Sequence, residues 1–427
     1  MNPFHDYYGI EWYLILLAWS AIALGSHFYQ VGFVVRLIRL GKDDDRFNSW
    51  KQRLTEFLRD WLGQRKVVQD KVAGYAHALI FWGFLLLISD IVDLGTGGLL
   101  QAFLSNIQLD GIWNLIVDLG YAMATVGILI ALYRRIIIRP AQLKGASIEG
   151  PLILLAILGI VLTAFIVEAG NMIGEETKYN TWEPIGVLFA KQMDGMDHAT
   201  IASMVDISYW IHMILIGGFL IEIPQTKHSH IIGTIPNVMF QDHNPMGTMI
   251  PLQTNENNEA VKTDDLDFDN LTLGVNKFAD FTWRQLSDGW ACTECARCQD
   301  VCPAYKSGKT LNPMQIVLDI KDYGREHSSL LLAGDEPKES IVDRFTPDAI
   351  WACTTCYACV EACPVHIEHV PKLTDARRHL VMEAADFPEE LQKLFNNLER
   401  NSNPWGFGAH TRADWAEGLD LKGGEPA

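Results

Sequence analysis

Five long apolar stretches in the first half of the chain constrain its fold more than any other feature. They lie at roughly 12–35, 73–93, 111–133, 151–173 and 205–224. A helix needs about 20 predominantly apolar residues to cross a bilayer. Five such stretches in succession exceed what the core of a soluble protein offers. The first half is therefore predicted to be an all-α membrane bundle of five transmembrane helices.

Basic residues alternate between the loops that join these stretches. Residues 1–35 contain no Lys or Arg, whereas the loop 36–71 contains ten. The loop 94–110 again has none, and the loop after the third stretch is basic. Because basic loops stay on the cytoplasmic side, we expect an N-terminus outside and a multi-pass protein of the inner (cytoplasmic) membrane. The first apolar stretch is too long for a secretory signal.

The chain after residue 224 has an ordinary polar composition and carries most of the negative charge. The whole chain has a formal net charge of −18, and the residues after 224 hold 18 Lys and Arg against 31 Asp and Glu. A region this acidic is a poor candidate for binding nucleic acid. We therefore expect protein and membrane partners and no nucleic acid.

All eight cysteines lie in two short runs, CTECARCQDVCP and CTTCYACVEACP. Both match C-x₂-C-x₂-C-x₃-C-P, in which three cysteines bind one [4Fe–4S] cluster and the fourth ligates the other. The predicted ligands of the first cluster are Cys292, Cys295, Cys298 and Cys363. The predicted ligands of the second cluster are Cys353, Cys356, Cys359 and Cys302. A pair of zinc sites is the alternative, but zinc ligands usually come as two pairs with a long gap.

The segment between the two cysteine runs carries helix signals. Asn312–Pro313 is typical of an N-cap and first helical residue, Gly324 of a helix end, and Thr346–Pro347 of a second helix start. These signals predict an α-helical ferredoxin domain fused to the membrane bundle.

Four domains follow from these patterns. They are a five-helix membrane domain at 1–235, a connector at 236–290, a two-cluster ferredoxin domain at 291–385 and a tail at 386–427 that is expected to dock a partner; the histidines and the resemblance given below make the first a cytochrome b domain. Within the connector, residues 255–265, NENNEAVKTDD, predict a mobile polar patch.

Four histidines lie within or directly after the apolar stretches, where a metal cofactor inside the bundle would find its ligands. His27, His77 and His212 lie within apolar stretches, and His230 follows the fifth one. A single buried histidine is often only a hydrogen-bonded helix contact, but imidazole is also a common metal ligand. Four histidines with no chain of lipid-embedded carboxylates beside them favour haem.

Spacing gives an expected pairing of these histidines. His212 and His230 are 18 residues apart, about five turns, so one continuous helix would place them on one face about 27 Å apart. His228 would point roughly 160° away from His212. His77 lies at the depth of His230, and the two are expected to bind one haem iron. His212 lies deeper, and His27 is expected at a similar depth.

The membrane half resembles the gamma subunit of respiratory nitrate reductase and is similar to the membrane subunit of heterodisulfide reductase. The resemblance rests on five spans, GYAHALIF in the second span and two histidines 18 residues apart in the fifth. It implies two b haems, electron exchange with quinone, and ligand roles for His77, His212 and His230. The chain departs from that pattern at Leu87, where a second histidine is expected. The expected number of haems is therefore one or two, and His27 is the alternative ligand of the second.

The second half is similar to iron–sulfur subunits related to heterodisulfide reductase. The similarity lies in WACTTCYACVEACPVHIEHVPKLTDARRHLVME and in LERNSNPWGFG. It is closest to membrane-bound electron-transfer-flavoprotein:menaquinone oxidoreductases, which join a haem domain and a ferredoxin domain in one chain. Those proteins continue into a cysteine-rich CCG domain. No cysteine follows Cys363 here, so either a partner subunit supplies that domain or the protein lacks it.

These features together predict a quinone-linked oxidoreductase subunit in an electron-transport chain. Electrons would pass between a cytoplasmic partner (an electron-transfer flavoprotein or a disulfide-reductase-type subunit), two [4Fe–4S] clusters, one or two b haems and menaquinone. No catalytic residue is assigned, because the site for the soluble substrate is expected on a partner chain. The alternative is a non-catalytic membrane anchor and electron relay. A transporter is disfavoured, because the spans show no broken helices or internal repeat.

Overall fold

The computed structural model describes the residues 10–95, 99–140, 148–174, 181–249, 251–252, 261–262, 265–266 and 273–419. Of the described residues, 72% are helical and none forms a strand. This confirms the all-α fold class. The predicted polar patch at 255–265 lies mostly outside the described residues, and its mobility stays a prediction.

The described helices of the first half begin with a long span and end in a short helix beyond the last span. They are α1 (Ile10–Ile38), α2 (Trp50–Glu56), α3 (Lys71–Gly95), α4 (Leu99–Asn106), α5 (Asp110–Tyr133), α6 (Glu149–Gly174), α7 (Pro184–Met193), α8 (His198–Glu222) and α9 (His230–Met239). Two of them continue as π-helical turns, at Phe57–Leu62 after α2 and at Arg134–Ile138 after α5.

Five of these helices are long and apolar enough to cross a membrane: α1, α3, α5, α6 and α8. Large apolar side chains cover much of their exposed surface, as Leu17, Phe28 and Leu155 illustrate. In water such a surface would drive aggregation, whereas in a bilayer it meets lipid. The five spans predicted from the apolar stretches are confirmed.

Small residues allow α3 and α5 to pack closely. A Cβ atom on Gly83 of α3 would lie 2.7 Å from the carbonyl oxygen of Gly120 on α5, and one on Gly127 would lie 2.6 Å from that of Ala76. Close backbone approach at small residues is a common way for helices to associate in lipid. The contact fixes the position of α3, which carries His77.

The fifth span does not continue to His230. Helix α8 ends at Glu222, the chain turns through Pro224, and a 3₁₀ turn at Lys227–Ser229 leads into α9. The expectation that His212 and His230 share one face of a continuous helix is therefore wrong. Proline has no backbone N–H to continue the helical hydrogen bonds, and the turn re-aims the chain that follows.

The second half consists of shorter helices. They are α10 (Trp283–Ala291), α11 (Arg297–Val301), α12 (Pro303–Lys306), α13 (Pro313–Glu326), α14 (Ser328–Ala333), α15 (Ile341–Phe345), α16 (Pro347–Ala352), α17 (Ala358–Ala362), α18 (His369–Arg378) and α19 (Glu389–Asn401). The predicted start of α13 is confirmed, because the Asn312 side chain accepts hydrogen bonds from the N–H groups of Met314 and Gln315. The helix continues two residues beyond Gly324.

The chain divides into two compact units. The first combines Met1–Met249 with Lys277–Val370, and the second combines Ile250–Asn276 with Pro371–Ala427. In the second unit, the N–H of Val275 donates to the carbonyl oxygen of Asp375 at 3.0 Å. The first unit holds the spans and both cysteine runs, so the geometry between them can be described.

The end of the first span pairs directly with the start of α10. The N–H of Lys42 donates to the carbonyl oxygen of Phe281 at 2.8 Å, and the N–H of Trp283 donates to that of Lys42 at 2.9 Å. A Cβ atom on Gly41 would lie 2.8 Å from the Phe281 oxygen. Only a glycine permits this approach without displacement, so α1 is tied to the helix that precedes the first cysteine run.

Candidate metal centres

The two cysteine runs adopt the same backbone conformation. The second and fourth residues after the first cysteine have left-handed φ angles in both runs: 54° at Glu294 and 62° at Ala296, and 51° at Thr355 and 61° at Tyr357. A short helix then begins at the same position of each run. Non-glycine residues rarely adopt this conformation, so its repetition indicates two equivalent ligand loops.

The structure brings the last cysteine of the second run to the first run. Burial, with smaller contributions from the neighbouring thiols of Cys295 and Cys363, raises the pKa of Cys292 to about 12. Burial also raises the pKa of Cys363 to about 12, with an added contribution from Cys295. Cys292 and Cys363 also pack in one buried cluster with Val317 and Ile367, so the last cysteine of the second run lies at the first run, as the predicted ligand set requires.

The other four cysteines form a matching group. Burial raises the pKa of Cys359 to about 12, and the thiols of Cys353, Cys302 and Cys356 add to the rise. A buried thiolate without a counter-charge is unfavourable, whereas the irons of a cluster would stabilise it. Among the described residues, no three His, Cys, Asp or Glu side chains converge on a single-ion position.

Backbone N–H groups point at the sulfur atoms. The N–H of Thr355 donates to Sγ of Cys353 and that of Ile367 to Sγ of Cys363, both at 3.4 Å. Hydrogen bonds to the ligand sulfurs tune the reduction potential of an iron–sulfur cluster. The loops therefore fit the predicted clusters in ligand number and hydrogen bonding, and five of the eight cysteines are buried.

His77 and His230 face each other where the spans meet the cysteine runs. Their ring centroids are 6.4 Å apart, with the planes inclined by 46°. Two imidazoles bound to opposite sides of one metal ion, with metal–nitrogen distances of about 2 Å, place their centroids about 6 Å apart. His77 comes from α3 and His230 from the start of α9, and the His77 side chain is exposed. The pair fits the predicted haem site.

The turn before α9 fixes the orientation of the His230 ring. Nδ1 of His230 lies 2.7 Å from the carbonyl oxygen of Lys227, and it donates a hydrogen bond when that nitrogen carries the proton. This leaves Nε2 as the coordinating nitrogen. Metal-binding histidines usually have such a partner for the second ring nitrogen.

The same turn contacts the first cysteine run. Oγ of Ser229 donates to the carbonyl oxygen of Trp290 at 3.0 Å, two residues before Cys292. Nζ of Lys227 lies 3.6 Å from Oε2 of Glu294 within the run. His230 is therefore adjacent to the loop that carries three ligands of the first cluster.

Arg297 is a positioning residue that the sequence alone did not indicate. It lies between Cys295 and Cys298, and its guanidinium donates to the carbonyl oxygens of Lys66 and Val67, both at 2.7 Å. Those carbonyls precede α3, which carries His77. The sequence feature that could have pointed to Arg297 is its place as the one charged residue between the closely spaced ligands Cys295 and Cys298.

His212 and His27 lie apart from each other. Nδ1 of His212 is 2.9 Å from the carbonyl oxygen of Ile160 on α6, whereas Nδ1 of His27 is 2.8 Å from that of Leu220 on α8. Leu220 is eight residues beyond His212, about 12 Å along the helix. The expected similar depth of His27 and His212 is therefore wrong, and both remain predicted ligands. Their Nδ1 partners leave Nε2 free to coordinate.

Leu87, where the related pattern has a histidine, is part of an apolar core. It is buried and packs in a cluster with Tyr121, Ala124, Val161 and Phe165. The position therefore contributes packing between α3, α5 and α6. A second haem would need its ligand from elsewhere in the bundle.

His228 lies beside the predicted pair. Its ring centroid is 5.6 Å from that of His230, and its Nδ1 is 3.7 Å from a carboxylate oxygen of Glu222. The ring is thus directed at the end of α8 and at Phe219. His230 remains the predicted ligand.

A buried arginine joins the membrane half to the iron–sulfur half. Arg284 is fully buried and donates to Oδ1 of Asp288 at 2.6 Å, to Oδ1 of Asn237 at 3.0 Å and to the carbonyl oxygen of His366 at 2.9 Å. These partners come from α10, from α9 and from the segment after the second cysteine run. One side chain therefore holds three elements together.

Replacing Arg284 with glutamine should destabilise the protein severely. The change leaves the buried Asp288 carboxylate without its counter-charge, which costs about 3–5 kcal/mol. We expect the clusters to lose their visible absorbance at a clearly lower denaturant concentration.

The matched control replaces Arg344 with glutamine. Arg344 forms an ion pair of the same 2.6 Å length, but its partner Glu326 is 55% exposed. Exposed pairs contribute about 0–1 kcal/mol, so this variant should resemble the unmodified protein. Equal shifts for both variants would contradict the role given to Arg284.

Comparison with known proteins agrees with this geometry. Residues 285–364 match the family described as "4Fe-4S dicluster domain". The chain is 30% identical to "Probable iron-sulfur-binding oxidoreductase FadF" of Bacillus subtilis, over 95% of this chain and 60% of the relative. It is 31% identical to "EtfAB:quinone oxidoreductase" of Syntrophomonas wolfei, over 87% of this chain and 54% of the relative.

A further relative matches a shorter segment. The chain is 40% identical to "Probable membrane-anchored ferredoxin" of Chromohalobacter salexigens, over 38% of this chain and 27% of the relative. No solved structure matches the chain. The chain spans 60% and 54% of the length of the Bacillus and Syntrophomonas relatives. Over most of its length it is similar to proteins named as an iron–sulfur-binding oxidoreductase and a quinone oxidoreductase, and residues 285–364 match the 4Fe-4S dicluster domain.

Proposed function

We propose that this protein passes electrons between a cytoplasmic redox partner and membrane menaquinone. The route comprises two [4Fe–4S] clusters with the eight cysteine ligands predicted above and a b-type haem held by His77 and His230. The observation that carries the proposal is the 6.4 Å separation of these two imidazole rings beside the first cysteine run. A second haem, held by His212 with or without His27, is part of the proposal.

The cofactors would supply one-electron transfer, and the side chains would set their positions and potentials. Lys227 and Ser229 hold His230 next to the first run, and Arg297 holds that run on the loop before α3. Because the two loops are fixed to each other, the distance between the first cluster and the haem is set by the fold. No catalytic residue for a soluble substrate is assigned.

The partner is proposed to be an electron-transfer flavoprotein or a disulfide-reductase-type subunit, with any CCG-type domain on a partner chain. The name of the Syntrophomonas relative supports this choice. The N-terminus is proposed to lie outside the inner membrane and the ferredoxin domain in the cytoplasm. The tail at 386–427 is proposed as a docking surface, because Trp405 and Trp415 are each more than 70% exposed. Exposed aromatics of this kind often mark partner sites.

The quinone link can be tested by single-turnover oxidation. The reduced, cofactor-loaded protein in nanodiscs is mixed with a menaquinone analogue, and the visible spectrum is followed. We expect reoxidation of haem and clusters. In a His77→Ala variant the clusters should be reoxidised far more slowly by quinone but normally by ferricyanide. If the unmodified protein reacts with ferricyanide and not with quinone, the quinone link is wrong.

A second candidate is a membrane anchor that relays electrons without reacting with quinone. The similarity to a relative named as a membrane-anchored ferredoxin favours it. In that case the reduced protein would transfer electrons to a soluble partner only, and the quinone experiment would show no reoxidation. The two candidates therefore give opposite results in the same measurement.

A further inference from the structure

We propose that two short helices beside the spans lie in the lipid–water interface and bind anionic phospholipid. We call them the interfacial collar, defined as Trp50–Leu62 and His230–Met239. Neither segment is among the five spans. The proposal rests on which residues they expose and which they bury.

The first collar segment has its polarity inverted relative to a soluble helix. Its apolar residues Trp50, Leu54 and Leu58 are exposed, with Leu54 at 52%. Its charged residues Arg53 and Asp60 are buried, at 2% and 1% exposure. A helix in water buries its apolar stripe and exposes its charges. The opposite arrangement fits a helix whose outer surface is covered by lipid.

The buried charges of this segment are satisfied by protein. Arg53 donates to the carbonyl oxygens of Met239 and Gln241 at 3.2 and 2.9 Å. Asp60 lies 3.2 Å from Nε2 of His366 and accepts a hydrogen bond from Arg65 at 2.6 Å. The polar side of the segment therefore packs against protein, including His366 of the iron–sulfur half. The apolar side faces away from these contacts.

The basic residues of the segment lie next to the apolar side. Trp50, Leu54 and Leu58 are four residues apart and span roughly 80° of the helix circumference. Lys51 and Arg59 each follow one of them in the sequence and are exposed, about 100° further round. An in-plane interfacial helix has such a neighbouring arrangement, with its apolar side in the acyl region and its basic residues at the headgroups.

The second collar segment, α9, shows the same inversion. Ile231 and Ile235 are each 42% exposed, whereas Thr234 and Asn237 are 6% and 0% exposed. The amide of Asn237 donates to Oδ1 of Asp288 in the iron–sulfur half at 2.6 Å. Two separate helices thus bury polar residues against the same partner and expose isoleucine, leucine or tryptophan.

Contacts place the collar beside the spans. The Trp61 ring lies 5.2 Å from that of Phe81, eleven positions into α3. Nε1 of Trp61 also donates to Oγ1 of Thr234 at 3.3 Å, which joins the two collar segments. The first segment is bounded by α1, which ends at Ile38, and by α3, which begins at Lys71. The collar is therefore continuous with the surface that the spans present to lipid.

The lipid surface, and not a second protein, is the occupant that these features favour. Phe47, Trp50, Phe240 and Trp283 form a group of rings with centroids 5.0–6.4 Å apart at the edge of the collar. Aromatic side chains of this kind are enriched at membrane interfaces. The exposed basic residues of the first segment match anionic headgroups in charge.

Photocrosslinking in a bilayer tests the collar. p-Benzoylphenylalanine replaces Leu58 or Ile235 in the full-length, cofactor-loaded chain, in nanodiscs of phosphatidylglycerol and phosphatidylethanolamine. After irradiation, we expect intact mass spectra with a gain of one phospholipid molecule at either position. Phosphatidylglycerol should be over-represented among the adducts at Leu58, and the Lys51→Gln variant should reduce that excess; Arg59 is left unchanged because it pairs with the buried Asp60.

The matched control places the same photoprobe at Tyr305, which is 42% exposed in the iron–sulfur half. It should give no lipid adduct. Visible spectra of all variants report whether the cofactors are retained, and a variant that loses them is replaced by one at Leu54 or Ile231. Crosslinks from the collar to a second copy of the chain, or no lipid adduct at any of the four positions, would overturn the proposal.

Discussion

Replacing Cys363 with serine is expected to remove the cluster of the first cysteine run, although Cys363 belongs to the second. Cys363 packs with Cys292 in one buried cluster, and burial, with a smaller contribution from neighbouring thiols, raises the pKa of Cys292, Cys298 and Cys363. Serine is a weaker iron ligand than thiolate, so the cluster with three remaining cysteines should be lost. Bound iron should fall from about eight to about four atoms per chain.

The spectra of paired variants decide which cysteines share a cluster. In the reduced state, Cys363→Ser and Cys292→Ser should lose the same electron paramagnetic resonance signal. Cys302→Ser and Cys353→Ser should lose the other signal. If Cys363→Ser instead matched Cys353→Ser, each run would bind its own cluster, and the exchange of the fourth ligand would be wrong. Iron analysis separates these outcomes from complete loss of the fold, which would remove both signals.

Replacing His230 with alanine should remove the same haem signal as replacing His77. The two rings face each other at 6.4 Å and would hold one iron between them, so losing either ring removes one of its two ligands. We expect the reduced-minus-oxidised absorbance of that haem to disappear, with haem content by pyridine haemochrome lower by one per chain. The cluster signals should remain.

His228 provides the matched control. Its ring is as buried as that of its neighbour but is directed at Glu222 and Phe219. A His228→Asn variant should retain the haem, with at most a shifted spectrum. If the His230→Ala variant retained the haem and the His228→Asn variant lost it, His228 would be the iron ligand in place of His230. Haem absent from the unmodified protein would contradict the proposal for the membrane half.

Hydropathy and ligand spacing predicted the elements whose signals are local. The five spans, the two ligand runs and the N-cap at Asn312 each depend on residues within one segment, and for the spans and the cap the structure agrees. The end of α8 was harder to predict. Pro224 disfavours a straight continuation of the helix, but the complete turn into α9 depends on contacts such as that of Ser229 with Trp290, which is 61 residues away.

The collar could not be predicted for a different physical reason. The spacing of Trp50, Leu54 and Leu58 reveals an apolar side but not whether that side meets a protein core or lipid. Arg53 contacts Met239 and Asp60 contacts His366, both far away in the sequence. Only these contacts show that the polar side of the segment is turned inward. The depth of His27 depends in the same way on how far α1 is shifted along α8.

The pairing of Lys42 with Phe281 and Trp283 has a consequence for the synthesis of this protein. The ribosome makes Phe281 239 residues after Lys42, and at 5–20 residues per second this delay is roughly 10–50 s. Throughout that time the loop after the first span lacks its backbone partners Phe281 and Trp283, and the side chain of Arg46 lacks Glu368. A nascent chain stalled before residue 281 should therefore leave this loop open to protease, and release of the stall should protect it.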